Sequence, residues 1–159
     1  MLCIRSKNDG FTLFELLVVM AIIGITAVVV IPYLKPLSAN NETTRITEEL
    51  RLDLMYARNS AISMGQTITV DPTVDDDWNT GWRIFSPTEE LRVKTETADA
   101  GVITSNDFDS ANPIQFDSRG RASLAGRLNI LIPGCTGNNQ VTITVNLVGQ
   151  VIVTEAACP

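Results

Sequence analysis

The residues of this sequence whose types and spacing could do chemistry fall into three groups, and one type is missing altogether. The missing type is histidine, of which the 159 residues contain none. Its absence excludes Ser-His-Asp and Cys-His catalysis and any imidazole-held metal. The first group is Asp75-Asp76-Asp77, inside a stretch, Asp71–Asp109, that holds ten acids against Arg83, Arg92 and Lys94. Clustered carboxylates suit a hard cation such as calcium. Counted from Asp75, however, the sixth and twelfth positions of an EF-hand loop fall on Thr80 and Ser86, where that loop needs glycine and glutamate. The sequence therefore reads as a solvated acidic loop that repels nucleic acid or presents charge to a basic neighbour. The second group is Arg119, Arg121 and Arg127, a small basic patch. It lies in a segment, Ser110–Pro159, whose three bases and two acids leave a net charge of +1. The chain as a whole carries −6, which argues against binding nucleic acid by phosphate neutralisation. The third group is one residue, Glu15, the single charge between Phe11 and Leu34. With no nucleophile–base pair and no phosphate-cradling loop, the expectation is no enzyme, no cofactor, no metal and no small-molecule substrate.

The elements that must position these groups follow from hydropathy. Phe11–Leu34 is apolar apart from Thr12, Glu15, Gly24, Thr26, Pro32 and Tyr33. As a helix it is long enough to cross a hydrocarbon core of about 30 Å. The preceding Met1–Gly10 carries Arg5 and Lys7, bases that stay cytoplasmic and send the rest of the chain to the far side. No secretory cleavage site follows Ile31, so the segment is expected to remain as an anchor. A carboxylate inside such a span is costly unless it is partnered or sits near the headgroups. A second helical stretch is expected from about Asn41 to Met64, capped by Asn40 or Asn41 and stopped by Gly65. Ile46, Leu50, Leu54, Ala57, Ala61 and Met64 form its apolar face, while Glu42, Glu48, Glu49, Arg51, Asp53 and Arg58 take the remainder. Arg58 is expected to pair with a helix neighbour. Pro32 and Pro36 are expected to kink the helix where it leaves the membrane.

From Gln66 onward the pattern turns to short β-branched segments. The expected strands are Gln66–Val70, Gly81–Phe85, Leu91–Lys94, Val102–Thr104, Ile114–Phe116, Leu128–Ile132, Val141–Val145 and Gln150–Thr154. Asp71-Pro72-Thr73 and Ser118-Arg119-Gly120 read as turns, and Trp82 as a core residue whose indole needs a partner. The fold class is α+β: a long N-terminal helix, membrane-spanning in its first half, packs its second half against antiparallel β-sheets. The domains are then 1–10, 11–34, 35–64 and a β-rich globular part, 65–159.

Gly10-Phe11-Thr12-Leu13-Phe14-Glu15-Leu16-Leu17 resembles the processing signature of type IV prepilins and type II secretion pseudopilins, with Phe14 where the family usually has isoleucine. The resemblance implies a pilin-like fold and a leader, Met1–Gly10, removed by the prepilin peptidase between Gly10 and Phe11. It further implies methylation of the new amine on Phe11 and a kink at Pro32. Glu15 would attract the terminal amine of a neighbouring subunit and set register during assembly, a strong attraction in low dielectric. Cys3 leaves with the leader, and Cys135 and Cys158 remain on the oxidising side. Pilins often carry a disulfide near the C-terminus, which favours a bridge over two free thiols.

A looser resemblance, carried by Leu50–Ala61, Gly81–Phe85 and Ile114–Ala122, is to the group of the minor pilins FimT and FimU and the pseudopilin GspH. It implies a minor pilin of FimU type that primes assembly or sits near the tip. Its partners would be other minor and major pilins, the prepilin peptidase and the inner membrane, with a periplasmic domain before incorporation. A GspH-type pseudopilin of a type II secretion system is the alternative. A lesser alternative is the DNA-capturing FimT branch, which carries a Gly-Arg-x-Arg motif where this chain has Gly149-Gln150-Val151-Ile152. Nucleic acid is therefore not an expected partner, and Arg119, Arg121 and Arg127 are the residues left that could contact it.

Overall fold

Thr12 opens the helix. Its hydroxyl accepts the Glu15 N–H at 3.2 Å and its carbonyl the Leu16 N–H at 3.1 Å, which satisfies donors that the first turn leaves free. The computed structural model describes residues 11–95 and 102–159, and for residues 29–35 the backbone alone. Helix α1 runs from Leu13 to Met64 over 52 residues. It stops where Gly65 adopts a φ of +67°, the left-handed conformation that glycine takes at little cost. The helix is continuous through Pro32 and Pro36, so the second helix expected to start at Asn40 or Asn41 has no start of its own. A proline removes one rung of the ladder, and helix formed on both sides carries the chain across.

The chain divides into two units, Met1–Lys35 and Pro36–Pro159. In the first, every large apolar side chain from Phe11 to Val28 is exposed, from 41 % at Val19 to 79 % at Phe11. Among the described residues, no helix is long and apolar enough to cross a membrane. The span expected over Phe11–Leu34 includes residues 29–35, whose side chains lie outside the described residues, as do the expected leader, Met1–Gly10, and the side chain of Pro32.

Among the described residues of the second unit the helix meets eight strands in two antiparallel sheets. They are β1 (Ile68–Pro72), β2 (Gly81–Phe85), β3 (Glu90–Thr95), β4 (Ile103–Thr104), β5 (Ile114–Phe116), β6 (Gly126–Ile130), β7 (Gln140–Val145) and β8 (Val151–Ala156). One sheet has the order β3-β2-β1-β5 and the other β4-β6-β7-β8. Ile46, Leu50, Leu54, Ala57 and Ala61 are completely buried in one core with Trp82, Ile84, Phe116, Leu128 and Ile143. Met64 does not extend that face and is exposed, because the helix ends on it. The expected turn at Asp71-Pro72 is instead the end of β1. Asp71 pairs in register with Arg83 and Pro72 with Trp82, and the Asp71 carboxylate is taken by the Arg83 guanidinium at 2.7 and 3.0 Å.

The two sheets are joined by a 3-10 turn, Trp78–Thr80. The buried Asn79 carboxamide accepts the Ile103 N–H at 2.7 Å and donates to the Ile103 carbonyl at 3.1 Å. It stands in for a strand beside β4. The Trp78 indole N–H donates to the Phe108 carbonyl at 3.1 Å, so both buried side chains of this turn, Trp78 and Asn79, are satisfied.

Candidate functional site

The candidate site is α1 itself, because one part of it is covered by the sheets and the other is exposed. At its start Glu15 lies in the first turn, where a carboxylate favours the exposed N–H groups. Glu15 is exposed and its side chain has no hydrogen bond among the described residues, so it is free to take a partner from outside. Further along, the Thr26 hydroxyl donates back to the Ile22 and Ile23 carbonyls at 2.9 and 3.0 Å. The only hydroxyl between Leu13 and Val28 is thereby satisfied inside the helix and adds no cost to an apolar surrounding.

From Ala39 onward the helix is clamped to the domain. Asp53, expected on the solvent side, is buried. It accepts the Trp82 indole N–H at 2.8 Å and an ion pair from Arg92, and Arg92 also lies over the Tyr56 ring, 5.0 Å from its centre. Lys94 reaches Glu49 at 3.1 Å. Arg58, expected to pair within the helix, instead donates from Nε to the Gly120 carbonyl at 2.9 Å. Gly120 (φ +74°) closes the Asp117–Gly120 turn, and a Cβ on Gly149 (φ +80°) would come within 1.9 Å of the Gly120 oxygen. Two glycine turns are thus needed to let the Arg58 contact form. Near the other end Asn40 is bound on both sides of its carboxamide, accepting from the Thr136 N–H at 3.1 Å and donating to the Thr136 hydroxyl at 3.3 Å. Cys135, next to it, is joined to Cys158 in a disulfide, so the expected pair forms and closes the chain end.

Arg119, Arg121 and Arg127 are all exposed, but no contact brings them together. The first two flank the turn organised by Asp117, whose carboxylate accepts the Arg119 and Arg121 N–H groups at 2.8 and 2.9 Å. The Arg121 backbone bond, ahead of that from Arg119, holds the Asp117 carboxyl below its ordinary value. Arg127 lies on β6, its N–H given to Asp107. In the acidic loop Asp77 caps the 3-10 turn through Asn79, and Asp76 accepts from Ser110, which lowers its carboxyl. Among the described residues no cluster of three or more His, Cys, Asp or Glu side chains could hold a metal. Electrostatics on the helix surface are local: Arg45 lowers the Glu42 carboxyl by direct hydrogen bonding and also reaches Glu49.

The family description "Type II transport protein GspH" matches residues 47–149, that is, the buried helix face from Thr47, the first sheet, and the second sheet up to the turn before β8. The chain belongs to the GspH family. A prokaryotic N-terminal methylation motif also matches this GspH-family chain, over residues 5–31, a segment that contains Gly10, Phe11 and Glu15. Its curated relatives include a fimbrial protein of Pseudomonas aeruginosa, 42 % identical over 71 residues, which are 45 % of this chain and 46 % of that protein. The fimbrial protein EcpB of Eikenella corrodens is 39 % identical over 69 residues, 43 % of each chain. The GspH-family chain therefore spans less than half the length of these relatives. Among solved structures, the type IV minor pilin FimU of Pseudomonas aeruginosa aligns with a TM-score of 0.60 and 21 % identity, over 78 % of this chain and 100 % of that one. The fold is that of FimU, α+β with a long helix on antiparallel sheets.

Proposed function

We propose that this GspH-family protein is a minor type IV pilin. It is made as a precursor, cut by the prepilin peptidase between Gly10 and Phe11 and methylated on the new amine. Phe11–Leu34 then holds it in the inner membrane, with the domain from Pro36 on the periplasmic side, until it joins other minor and major pilins in the pilus. The observation that carries the reading is the exposure of every large apolar side chain from Phe11 to Val28, inside the matched methylation motif. A helix apolar on all sides is stable only when lipid or other helices cover it. Glu15 in the first turn gives that cover a fixed register. Its carboxylate pairs with the Phe11 amine of a neighbour, since either charge left alone in the bilayer is costly. The role is structural, not enzymatic, and it begins at priming or the tip of the filament.

The test has two parts. Replacing Gly10 leaves a precursor that intact-mass measurement finds still carrying Met1–Gly10; normal removal of the leader overturns the processing step. Glu15→Ala leaves processing intact but lowers recovery of the protein in sheared filaments; unchanged recovery would make this acid merely interfacial.

A second reading, a pseudopilin of a type II secretion system, is favoured by the name of the matched family. Deleting the gene separates the two: loss of surface pili supports the first reading, and loss of secreted enzymes with normal pili the second.

A further inference from the structure

The second part of α1 lies between two sheet edges that pair with no further strand among the described residues, β3 of one sheet and β8 of the other. The two flanks are built differently. On the β3 side the helix is bridged to the strand by Arg92–Asp53 and Lys94–Glu49. On the β8 side the helix residues Arg51, Arg58 and Asn59 make no hydrogen bond or ion pair to the strand among the described residues. What lies there is an open groove of about 400 Å³, lined by Arg51, Met55, Arg58 and Asn59 of the helix and by residues 149–152.

The register shows what β8 presents to this groove. At the hairpin the Asn146 N–H donates to the Gln150 carbonyl, which makes that a hydrogen-bonded pair. In an antiparallel ladder such pairs alternate with non-bonded ones. Ile152 opposite Thr144 and Thr154 opposite Thr142 are then bonded to β7. Val151, Val153 and Glu155 turn their N–H and C=O groups to the open edge. An edge of this kind is a template for another strand. The flanking charge selects its chemistry. Arg58 is held through Nε alone and has no other partner among the described residues. Arg51 pairs with Glu48 through one nitrogen at 3.0 Å and is 38 % exposed. Beside them Met55 and Ile152 are exposed apolar contacts.

We infer that the β8 edge is a docking site for an extended, acidic segment of a different polypeptide, which adds as a strand along β8. Its backbone pairs with Val151, Val153 and Glu155, its carboxylates face the helix side toward Arg51 and Arg58, and its apolar side chains lie on the opposite face beside Ile152. A nucleic-acid backbone suits the groove less well, because phosphates offer acceptors only and leave the outward carbonyls of β8 unpaired. This site belongs to the Pro36–Pro159 unit and stands whether or not the filament reading holds.

The experiment uses the full chain in detergent and, as probe, a capped seven-residue peptide alternating glutamate and valine. The expected result is that amide exchange at Val151, Val153 and Glu155 slows about tenfold on binding. The same peptide N-methylated at alternate residues does not bind, and a lysine–valine peptide binds about tenfold more weakly. Val153→Pro removes a donor that the sheet does not use, which an edge strand tolerates, and abolishes peptide binding; Arg51→Ala weakens it severalfold. The N-methylated peptide carries the test by itself if the proline variant fails to fold. The proposal is overturned if N-methylation or Val153→Pro leaves binding unchanged, or if the lysine peptide binds as well. It is also overturned if the chain self-associates through β8 without peptide, or if a DNA duplex rather than the peptide shifts residues 149–152.

Discussion

The two parts of α1 are one hydrogen-bonded helix with opposite surface logic. Between Leu13 and Val28 apolar residues occupy all sides and every large one is exposed. Between Ala39 and Met64 they occupy one face, and Ile46, Leu50, Leu54, Ala57 and Ala61 have no exposure at all. The backbone ladder is indifferent to this change. What differs is the cover: the second part carries it in the same chain, and the first has none among the described residues. The carboxylates follow the same rule. Asp53 has two partners from its own domain, whereas the Glu15 side chain has none among the described residues.

The comparison breaks most visibly through paired substitutions. Leu54→Ala should cost the domain about 2–5 kcal/mol, a transfer loss plus a cavity, whereas Leu17→Ala should leave thermal unfolding of the domain unchanged. Equal effects would mean that the two parts share one core. Asp53→Ala strands a buried indole N–H and a guanidinium, and should cost about 1–3 kcal/mol; Asp53→Asn keeps an acceptor and should cost less, while Glu15→Ala should not alter unfolding. Denaturant midpoints measure all three. The smallest effect lies in the domain's Asp117 turn. Its carboxyl is held below 3.8 in the folded state, chiefly by the Arg121 N–H. Its contribution is therefore complete above that value and is lost as pH falls through the lowered folded one. A carboxyl titration by NMR should show a midpoint below 3.8, with exchange at the Arg119 and Arg121 amides rising in step. A midpoint at the ordinary value would mean that the turn does not depend on this charge.

Much of this was legible in the residues. The spacing of Ile46, Leu50, Leu54, Ala57 and Ala61 is helical, so the buried face could be read directly. All eight strands lie where β-branched segments predict them, and β2 and β5 match to the residue. The residues that misled are those whose partners are distant in sequence. Asp53 looks solvent-facing because a lone acid between apolar positions usually is, and its partners, Trp82 and Arg92, lie 29 and 39 residues on. Arg58 meets Gly120, 62 residues away, and no local period encodes that. The helix cap expected at Asn40 was a sound local signal, but its carboxamide is spent on Thr136, 96 residues later. Helix propagation across Pro36 overrode the cap.

That bond to Thr136 has a mechanical consequence. Among the described residues, Asn40 makes the first side-chain hydrogen bond that the helix sends into the sheet domain. Tension applied along α1 from its amino end therefore reaches the domain beside Cys135, in a loop whose far end is fastened at Cys158. A pull that would peel a noncovalent hairpin is met there by a covalent bond, and the strands beyond it are spared the load.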